Sequence, residues 1–441
     1  MWILNHRPKV TWALAAAVLA VVAIGLAGVG FATQNPTKVT AVRIGEHPGM
    51  TRFVLELTDD VDYRVFMLAD PDRVVIDLPE VTWEAPPLKE GTFIGIIKGY
   101  RYGLFSPGTF RVVLDIGSPV QVQSSRILEP QEGHGPRLIL DLATSTRDAF
   151  MAEVKKAAPP GAATPTSPQV SPQAAPPEGT PDAMPAMGPA PAQKPTTQAF
   201  APPPSPKAKP GKKVVVLDPG HGGVDPGAEG RTGVYEKYLT LSMATELKRQ
   251  LDATGRYQVV LTRDKDIFIP LRERIAIARA AGADLFISLH ADTIDNPHIR
   301  GLSVYTLSET ASDKEAAALA ASENKADVIA GVNLSNESPE VTNILIDLAQ
   351  RETMNRSANF AEEAVTDLSH DAKLLGKTHR FAGFAVLKAP DVPSVLVELG
   401  YLSHPEEERQ LREPAYRTKL AGALVKSIDR FFGWKDGVSK S

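Results

Sequence analysis

The chain has 441 residues, more than one ordinary hydrophobic core would organise, so we expect more than one domain. A formal net charge of -4 offers no basic face for nucleic acid, and no nucleic-acid partner is expected. Because there is no cysteine, the sequence excludes disulfides, thiolate metal ligands, cysteine nucleophiles and lipid attachment through cysteine. Any metal must therefore be held by His, Asp or Glu.

The first 32 residues have the pattern of an export signal. Arg7 and Lys9 precede an uninterrupted apolar stretch from 11 to 31, and the small residues Gly30 and Ala32 stand where a signal peptidase would cut. About 20 apolar residues can also span a bilayer, so a retained membrane anchor is the alternative. Either way, the pattern predicts that the rest of the chain lies outside the cytoplasm.

Residues 38–150 are predicted to form an all-β domain. An arginine, three apolar residues, an acid and a further apolar residue recur in that order at Arg52–Leu57, Arg73–Leu78, Arg111–Ile116 and Arg137–Leu142. Short runs rich in β-branched residues and separated by turn residues are typical of strands. We expect a small antiparallel sandwich in which arginine and acid flank buried strand centres, rather than a ligand site at each repeat.

This repeated pattern resembles the AMIN domain, a β-sandwich that localises periplasmic proteins by contacting the cell wall. The resemblance covers the whole predicted β-domain and implies that this domain targets the chain to peptidoglycan.

Residues 151–210 are predicted to be a disordered linker. From about position 157 the segment consists mainly of Pro, Ala, Gln, Ser and Thr. Such a composition cannot bury enough apolar surface to offset the entropy of ordering, and frequent proline favours extended conformations. A linker of this kind would let one domain stay bound while the other searches the surrounding polymer.

Residues 212–432 alternate between apolar strands and amphipathic helices. The predicted strands are 214–217, 259–261, 285–289, 302–305 and 395–397, and the predicted helices are 239–251, 271–281 and 416–432. This alternation predicts an α/β domain in which helices flank both faces of a mixed, twisted sheet.

Four polar residues lie where an α/β fold places its ligands, beyond the carboxyl ends of strands. His221 stands in a glycine-rich loop after the first strand, and Glu236 opens a helix predicted to start near position 238. His290 ends a later strand, and Glu398 follows the last one. Each has an ordinary explanation when taken singly; Glu398, for example, could pair with Arg409. The prediction of a site depends on the order and placement of all four.

Two imidazoles and one carboxylate are the usual protein ligands of a catalytic zinc, with a fourth position left for water. The same donors also suit iron or manganese, whereas calcium and magnesium prefer oxygen alone. Zinc would acidify the water and polarise a scissile carbonyl, and hydrolysis also needs a base. The sequence therefore predicts zinc on His221, Glu236 and His290, with Glu398 as the base.

Several motifs of this domain resemble those of the type 3 N-acetylmuramoyl-L-alanine amidases. They are Leu217–Gly227, Glu236, Thr262–Asp264 with Leu271–Arg274, Ser288–Asp292 and Val397–Glu398. With an AMIN-like domain in front, the chain is similar to the periplasmic cell-division amidases of Gram-negative bacteria. The resemblance implies the same three zinc ligands, Glu398 as catalytic acid/base, and a periplasmic location. It also implies cleavage of the amide between N-acetylmuramic acid and L-alanine in peptidoglycan, for septal splitting and cell separation.

Residues 308–360 are predicted to be a helical insertion. Periodicity from 312 to 329 predicts one helix, and an apolar stripe from 344 to 353 predicts another. The two could simply be an ordinary packed helical pair.

The resemblance implies a regulatory role for this insertion. In the division amidases the equivalent region blocks the active site until an activator protein displaces it, and an acid from it can occupy the open zinc position. We therefore expect autoinhibition, relieved by an activator of the LytM (degenerate metallopeptidase) type. Glu323 is the expected blocking acid, with Glu309 and Glu315 as rivals.

Two other functions fit part of the sequence. A zinc peptidase would cut within the stem peptide and shorten it, whereas the amidase would release intact peptides with a free L-alanine amine. A non-catalytic envelope protein would bind peptidoglycan through the β-domain and keep only a degenerate hydrolase fold. Such degeneration usually removes a ligand or the base, and here all of them are present. Nothing in the sequence demands an oligomer, and we expect a monomer.

Overall fold

The computed structural model describes residues 36–88, 93–131, 133–156, 211–332 and 344–433, and for 344–350 the backbone only. The predicted export signal and almost all of the predicted linker lie outside these ranges. Among the helices that are described, none has the length and apolar character needed to cross a membrane.

The N-terminal domain is a sandwich of two sheets, which confirms the predicted fold of this part. One sheet has the strand order β5-β1-β2-β9-β8 and the other β3-β4-β7-β6. Their strands are β1 (Lys38–His47), β2 (Met50–Leu57), β3 (Arg64–Leu68), β4 (Arg73–Pro79), β5 (Thr82–Trp83), β6 (Ile97–Ser106), β7 (Thr109–Ile116), β8 (Val120–Leu128) and β9 (Arg137–Thr144). Neighbouring strands are antiparallel except for the short parallel pair of β1 and β5.

The repeated pattern forms β2, β4, β7 and β9, which lie inside the two sheets rather than at their edges. Its charged residues pair across neighbouring strands. Arg52 stands opposite Asp141 and its Nε donates to Oδ1 of that residue at 2.6 Å. Arg111 stands opposite Asp77 in the other sheet, again with 2.6 Å between Nε and Oδ1. The arginines and acids thus link adjacent strands beside their apolar centres.

The β-domain continues beyond its predicted end at residue 150. Helix α1 (Arg147–Lys156) follows β9, and Phe150 is fully buried in the core of the sandwich. The predicted start of the linker at 151 is therefore too early, because residues 151–156 continue this helix and Met151 and Val154 pack, partly buried, against the core of the β-domain.

The C-terminal domain is the predicted α/β domain with a mixed sheet. The strand order is β11-β10-β12-β15-β13-β14, parallel throughout except between β13 and β15. Its strands are β10 (Lys213–Pro219), β11 (Tyr257–Leu261), β12 (Leu285–His290), β13 (Leu302–Leu307), β14 (Leu374–Ala382) and β15 (Ser394–Glu398). Its helices are α2 (Glu236–Ala253), α3 (Leu271–Ala280), α4 (Lys314–Glu323), α5 (Ala326–Ile329), α6 (Ile344–Leu368), α7 (Pro405–Arg412) and α8 (Pro414–Phe431), with a 3₁₀ turn at Ala385–Leu387.

Helices cover both faces of this sheet, which explains why its strands are continuously apolar. In β10, Val215 and Leu217 join the core formed with α2, α6 and α8. Val214 and Val216 point the other way, into the core formed with α3, α4 and the 3₁₀ turn. All four are at most 1% exposed.

The helical insertion differs from its prediction in two respects. The single helix expected over 312–329 is broken into α4 and α5, because Asn324 donates from Nδ2 to the Gly383 carbonyl (2.9 Å) and accepts from the Ala385 amide (2.7 Å). The second helix, α6, runs past the predicted boundary at 360. Phe360 and Leu368 are fully buried in the domain core, so the later half of α6 belongs to the core rather than to the insertion.

Candidate metal centre

The loop after β10 brings its histidine close to other polar groups. His221 has a φ of 59°, in the left-handed region, and glycines surround it. A Cβ at Gly220 would lie 2.4 Å from Cε1 of His290. A Cβ at Gly227 would lie 2.6 Å from Cδ2 of His221 and 2.8 Å from Oε2 of Glu236. These two positions must be glycine for the imidazoles and the carboxylate to approach one another.

The three predicted zinc ligands meet at one place, together with Glu323. Nε2 of His221 and Nδ1 of His290 each lie 3.1 Å from an oxygen of Glu236. Oε2 of Glu323 lies 3.1 Å from His290 Nδ1 and 3.5 Å from His221 Nε2. One ligand atom from each of the four residues can be chosen so that all lie within 4.8 Å of one another, and all four residues are buried.

These separations bring the donors close enough to share one metal ion. Four nitrogen and oxygen atoms bound to zinc at about 2.0–2.2 Å lie about 3.4 Å apart, and the separations above, which involve both oxygens of Glu236, are 3.1 to 3.5 Å. In addition, Nε2 of His221 is buried and makes no hydrogen bond with any described residue. A buried polar atom without a partner is costly, and a cation at this point would satisfy it. The donor set and its geometry therefore suit zinc.

A second layer of contacts orients the ligands. Oδ2 of Asp225 lies 2.9 Å from Nδ1 of His221, which leaves Nε2 facing the other ligands. Burial raises the pKa of Asp225, but the His221 imidazole outweighs this effect and lowers the pKa below its ordinary value. The two oxygens of Glu236 accept the amides of Ala228 (2.9 Å) and Ala291 (2.7 Å). Asp225 was not among the predicted site residues, although it is four residues from His221 in the same loop.

Glu398 reaches the centre from the neighbouring strand. In the parallel pairing of β12 and β15 it stands opposite His290. Its Oε1 accepts the Asp292 amide at 2.7 Å, and its Oε2 is buried without a hydrogen bond to any described residue. Burial and the neighbouring carboxylates raise the pKa of Glu398 well above its ordinary value. The alternative pairing with Arg409 is wrong, since that guanidinium binds Glu413.

The two rivals of Glu323 lie elsewhere. Glu309 is exposed, ahead of α4. Glu315, in the first turn of α4, lies 3.5 Å from the guanidinium of Arg380. Glu323 is the last residue of α4, at the helix end that points to the metal ligands.

Buried charges hold the loop that carries His221. Asp218, at the end of β10, accepts from Arg274 (2.8 Å), Thr262 (2.6 Å) and Ser288 (2.7 Å). The other terminal nitrogen of Arg274 donates to the His221 carbonyl at 2.9 Å. Asp218, Thr262, Arg274 and Ser288 all belong to motifs that were noted in the sequence without an assigned role. Their role in the structure is to brace the metal loop.

Comparisons with known proteins find matches to both domains. The family described as N-acetylmuramoyl-L-alanine amidase matches residues 215–430, and the AMIN domain matches residues 41–142. The chain is 32% identical to the N-acetylmuramoyl-L-alanine amidase AmiC of Escherichia coli O6:H1 over 413 residues, 90% of each chain. It is 34% identical to AmiC of Neisseria meningitidis serogroup B over 408 residues, 90% of this chain and 91% of the relative.

A shorter relative and a solved structure match the catalytic part. AmiA of Escherichia coli K12 is 43% identical over 234 residues, 52% of this chain and 81% of the relative. The structure of AmiC2 of Nostoc punctiforme is 28% identical and has a TM-score of 0.36, covering 50% of this chain and 98% of that one.

Proposed function

The chain belongs to the N-acetylmuramoyl-L-alanine amidase family, and from this premise we propose that it is a zinc-dependent hydrolase of peptidoglycan. The bond cleaved is the amide between the lactyl group of N-acetylmuramic acid and L-alanine of the stem peptide. The observation that carries the proposal is the meeting of His221, Glu236 and His290 beside the unpartnered carboxylate oxygen of Glu398.

The residues of the centre have different roles in the proposed hydrolysis of the amide. The two imidazoles and Glu236 would hold the zinc, which when bound would supply Lewis acidity to polarise the scissile carbonyl and to acidify a water. Asp225 fixes the orientation of the His221 ring. Glu398 takes the proton of the attacking water and passes it to the departing amine of L-alanine.

Glu323 is the proposed internal inhibitor of this centre. Its carboxylate lies within 3.5 Å of both imidazoles, where the fourth zinc position would otherwise hold water or substrate. Displacement of α4 would open that position, and a partner protein of the LytM type is the proposed cause. Burial raises the pKa of Glu323, so keeping its charge there depends on the cation and imidazoles around it.

The N-terminal signal and the AMIN domain bear on where the protein acts. We propose that the N-terminal signal exports the chain to the periplasm, where the AMIN domain holds it on peptidoglycan and the catalytic domain acts during cell separation.

Metal analysis combined with mass spectrometry of digested cell wall tests the proposal. Full-length Glu323→Ala protein, in which the block is absent, should contain zinc and release intact stem peptides that begin with a free L-alanine amine. Shortened peptides would identify a peptidase instead. Release of no fragments by a zinc-loaded, folded protein would point to a non-catalytic binding protein.

A further inference from the structure

One outer face of the β-sandwich is covered by the catalytic domain. It belongs to the four-stranded sheet, where Val75 and Val113 stand opposite each other on β4 and β7 and are fully buried. An exposed sheet face would normally be polar. Here the two valines approach Gly331, at whose position a Cβ would lie 3.4 and 3.3 Å from their methyl groups. The apolar cluster at this contact consists of Leu68, Val75, Val113, Val224, Phe268 and Ala330.

Three guanidiniums from the same face bind the backbone of the insertion at the end of α5 and just after it. Arg73 donates to the carbonyl of residue 328, and Nε of Arg101 donates to that of residue 329 at 2.6 Å. Nη1 of Arg111 donates to the carbonyl of residue 331 at 2.8 Å. Arg73 and Arg111 are only 2% and 6% exposed. Charged donors on backbone carbonyls make strong hydrogen bonds when they are desolvated.

The segment that these arginines hold is joined directly to the proposed inhibitor. Only Asn324 and Lys325 separate Glu323 from α5. On its other side, Asp327 of α5 accepts the Leu271 amide of the catalytic domain at 2.9 Å. The segment 326–332 is therefore clamped between the β-domain and the catalytic domain.

The β-domain also contacts the loop that carries His221. The Leu104 carbonyl of β6 accepts the Phe268 amide at 3.0 Å. A Cβ at Gly103 would lie 2.2 Å from the backbone of Gly223, two residues after the histidine. One face of the β-domain thus meets both the metal loop and the end of the inhibitory segment.

We propose that the β-domain is a latch for its own catalytic domain: its face around Arg73, Arg101 and Arg111 binds the segment 326–332 and thereby keeps Glu323 on the metal ligands. The proposal rests on the autoinhibition proposed above. It adds that opening the active site requires this face to leave the segment, so the β-domain regulates activity as well as location.

The test uses full-length protein with Arg111→Met and, separately, Arg101→Met. Arg52→Met is the matched control, because Arg52 forms the same cross-strand pair in the other sheet, with Asp141. The rate of release of dye-labelled peptidoglycan without activator should rise roughly tenfold in the first two variants, as expected when one charge-assisted hydrogen bond is lost from the closed state. The control should keep the wild-type rate.

Two further measurements separate a latch from a change in wall binding or folding. Amide hydrogen exchange of 326–332 should accelerate in Arg111→Met and not in Arg52→Met. Adding Arg111→Met to Glu323→Ala should give no further gain in activity, since the block is already absent. If the Arg111→Met protein does not fold, the Arg101→Met protein provides the test of the latch. The Arg101 side chain is 20% exposed, so its loss disturbs the domain less.

Every outcome bears on the latch. Wild-type rates and wild-type exchange in both arginine variants would overturn it, and so would an equal increase in Arg52→Met or an additive increase in the double variant. In these cases a gain in Glu323→Ala alone would leave the proposed autoinhibition standing. No gain in Glu323→Ala either would overturn autoinhibition and, with it, the latch.

Discussion

Two of the proposed metal ligands, His221 and Glu236, are already held by a second partner. The ring of His221 is fixed by Asp225, and the carboxylate of Glu236 by two backbone amides. Nε2 of His221 and Oε2 of Glu398, by contrast, are buried and have no hydrogen-bond partner among the described residues. This arrangement reduces the reorganisation needed when a metal or a water binds.

Replacing Glu398 by Gln should remove turnover without removing the metal. Glutamine keeps an oxygen for the Asp292 amide but cannot take the water proton, and the loss should be at least about 100-fold. Zinc content and wall digestion, measured in the Glu323→Ala background, check this. Glu408→Gln, which changes another buried acid, is the control. Loss of zinc, or a rate close to the parent's, would contradict the assigned role.

Asp225→Asn should weaken metal binding about 10- to 100-fold, because the oriented and more basic imidazole of His221 depends on this carboxylate. Competition with a chromogenic chelator measures the affinity. Asp429→Asn changes a buried acid that instead binds Tyr257 and Arg256, and it should leave the affinity unchanged. Equal affinities for all three proteins would show that Asp225 does not tune the site.

At the scale of elements, the strands carry charged pairs at matched positions. The Arg52 guanidinium lowers the pKa of Asp141 to about 2, against a smaller opposing effect of burial. A carboxyl whose pKa is lower in the folded than in the unfolded state stabilises the fold above its unfolded pKa. That contribution disappears as the pH falls through the folded value.

Asp141→Asn should therefore destabilise the β-domain at neutral pH, by about 1 to 2 kcal/mol. The difference from wild type should shrink as the pH falls from about 4 towards about 2. Calorimetric unfolding of the full chain at a series of pH values measures this difference in stability. Asp62→Asn, at an exposed position of the same domain, is the control. A difference that stays constant with pH would mean that packing, and not charge, is lost.

A strand or helix could be predicted from the sequence where its pattern of apolar and polar residues is clear. Strands such as β4 and β7 have continuous apolar centres and were found, as were the five strands of the α/β sheet from β10 to β13 and β15. Strand β6 was missed, because half-buried tyrosines and glycines give it no clear alternation. The break after α4 was missed as well, since the contacts of Asn324 with residues 383 and 385 are tertiary.

The residues of the site, too, could be predicted only where a local sequence pattern marks them. His221, Glu236, His290 and Glu398 stand at element ends, where the sequence analysis could find them. The role of Asp225 depends on the left-handed turn at His221, because this turn brings the Asp225 carboxylate back to the His221 ring. The contact between Arg111 and the segment 326–332 joins residues 220 positions apart, and no local pattern signals it.

At the scale of the whole molecule, the proposed metal would link segments that are distant in sequence. Zinc at about 100 times its Kd should add about 2.7 kcal/mol to stability, which raises Tm by about 5–10 °C in a domain of this size. Thermal unfolding of chelator-treated protein, with and without added zinc, measures the shift. His290→Ala should not respond. The same response in that variant, or none in wild type, would place zinc elsewhere or exclude it.

The β-domain recognises the insertion through main-chain oxygens at residues 328, 329 and 331. Amino-acid exchange at most of these positions leaves such oxygens in place, so the insertion is free to diverge towards new activators while it keeps its attachment to the sandwich. Gly331 is the exception, since its φ of +72° is strained for any other residue and a Cβ there would press against two valine methyl groups at 3.3 and 3.4 Å. Among related amidases with the same domain arrangement, divergence in this stretch should therefore stop at that glycine.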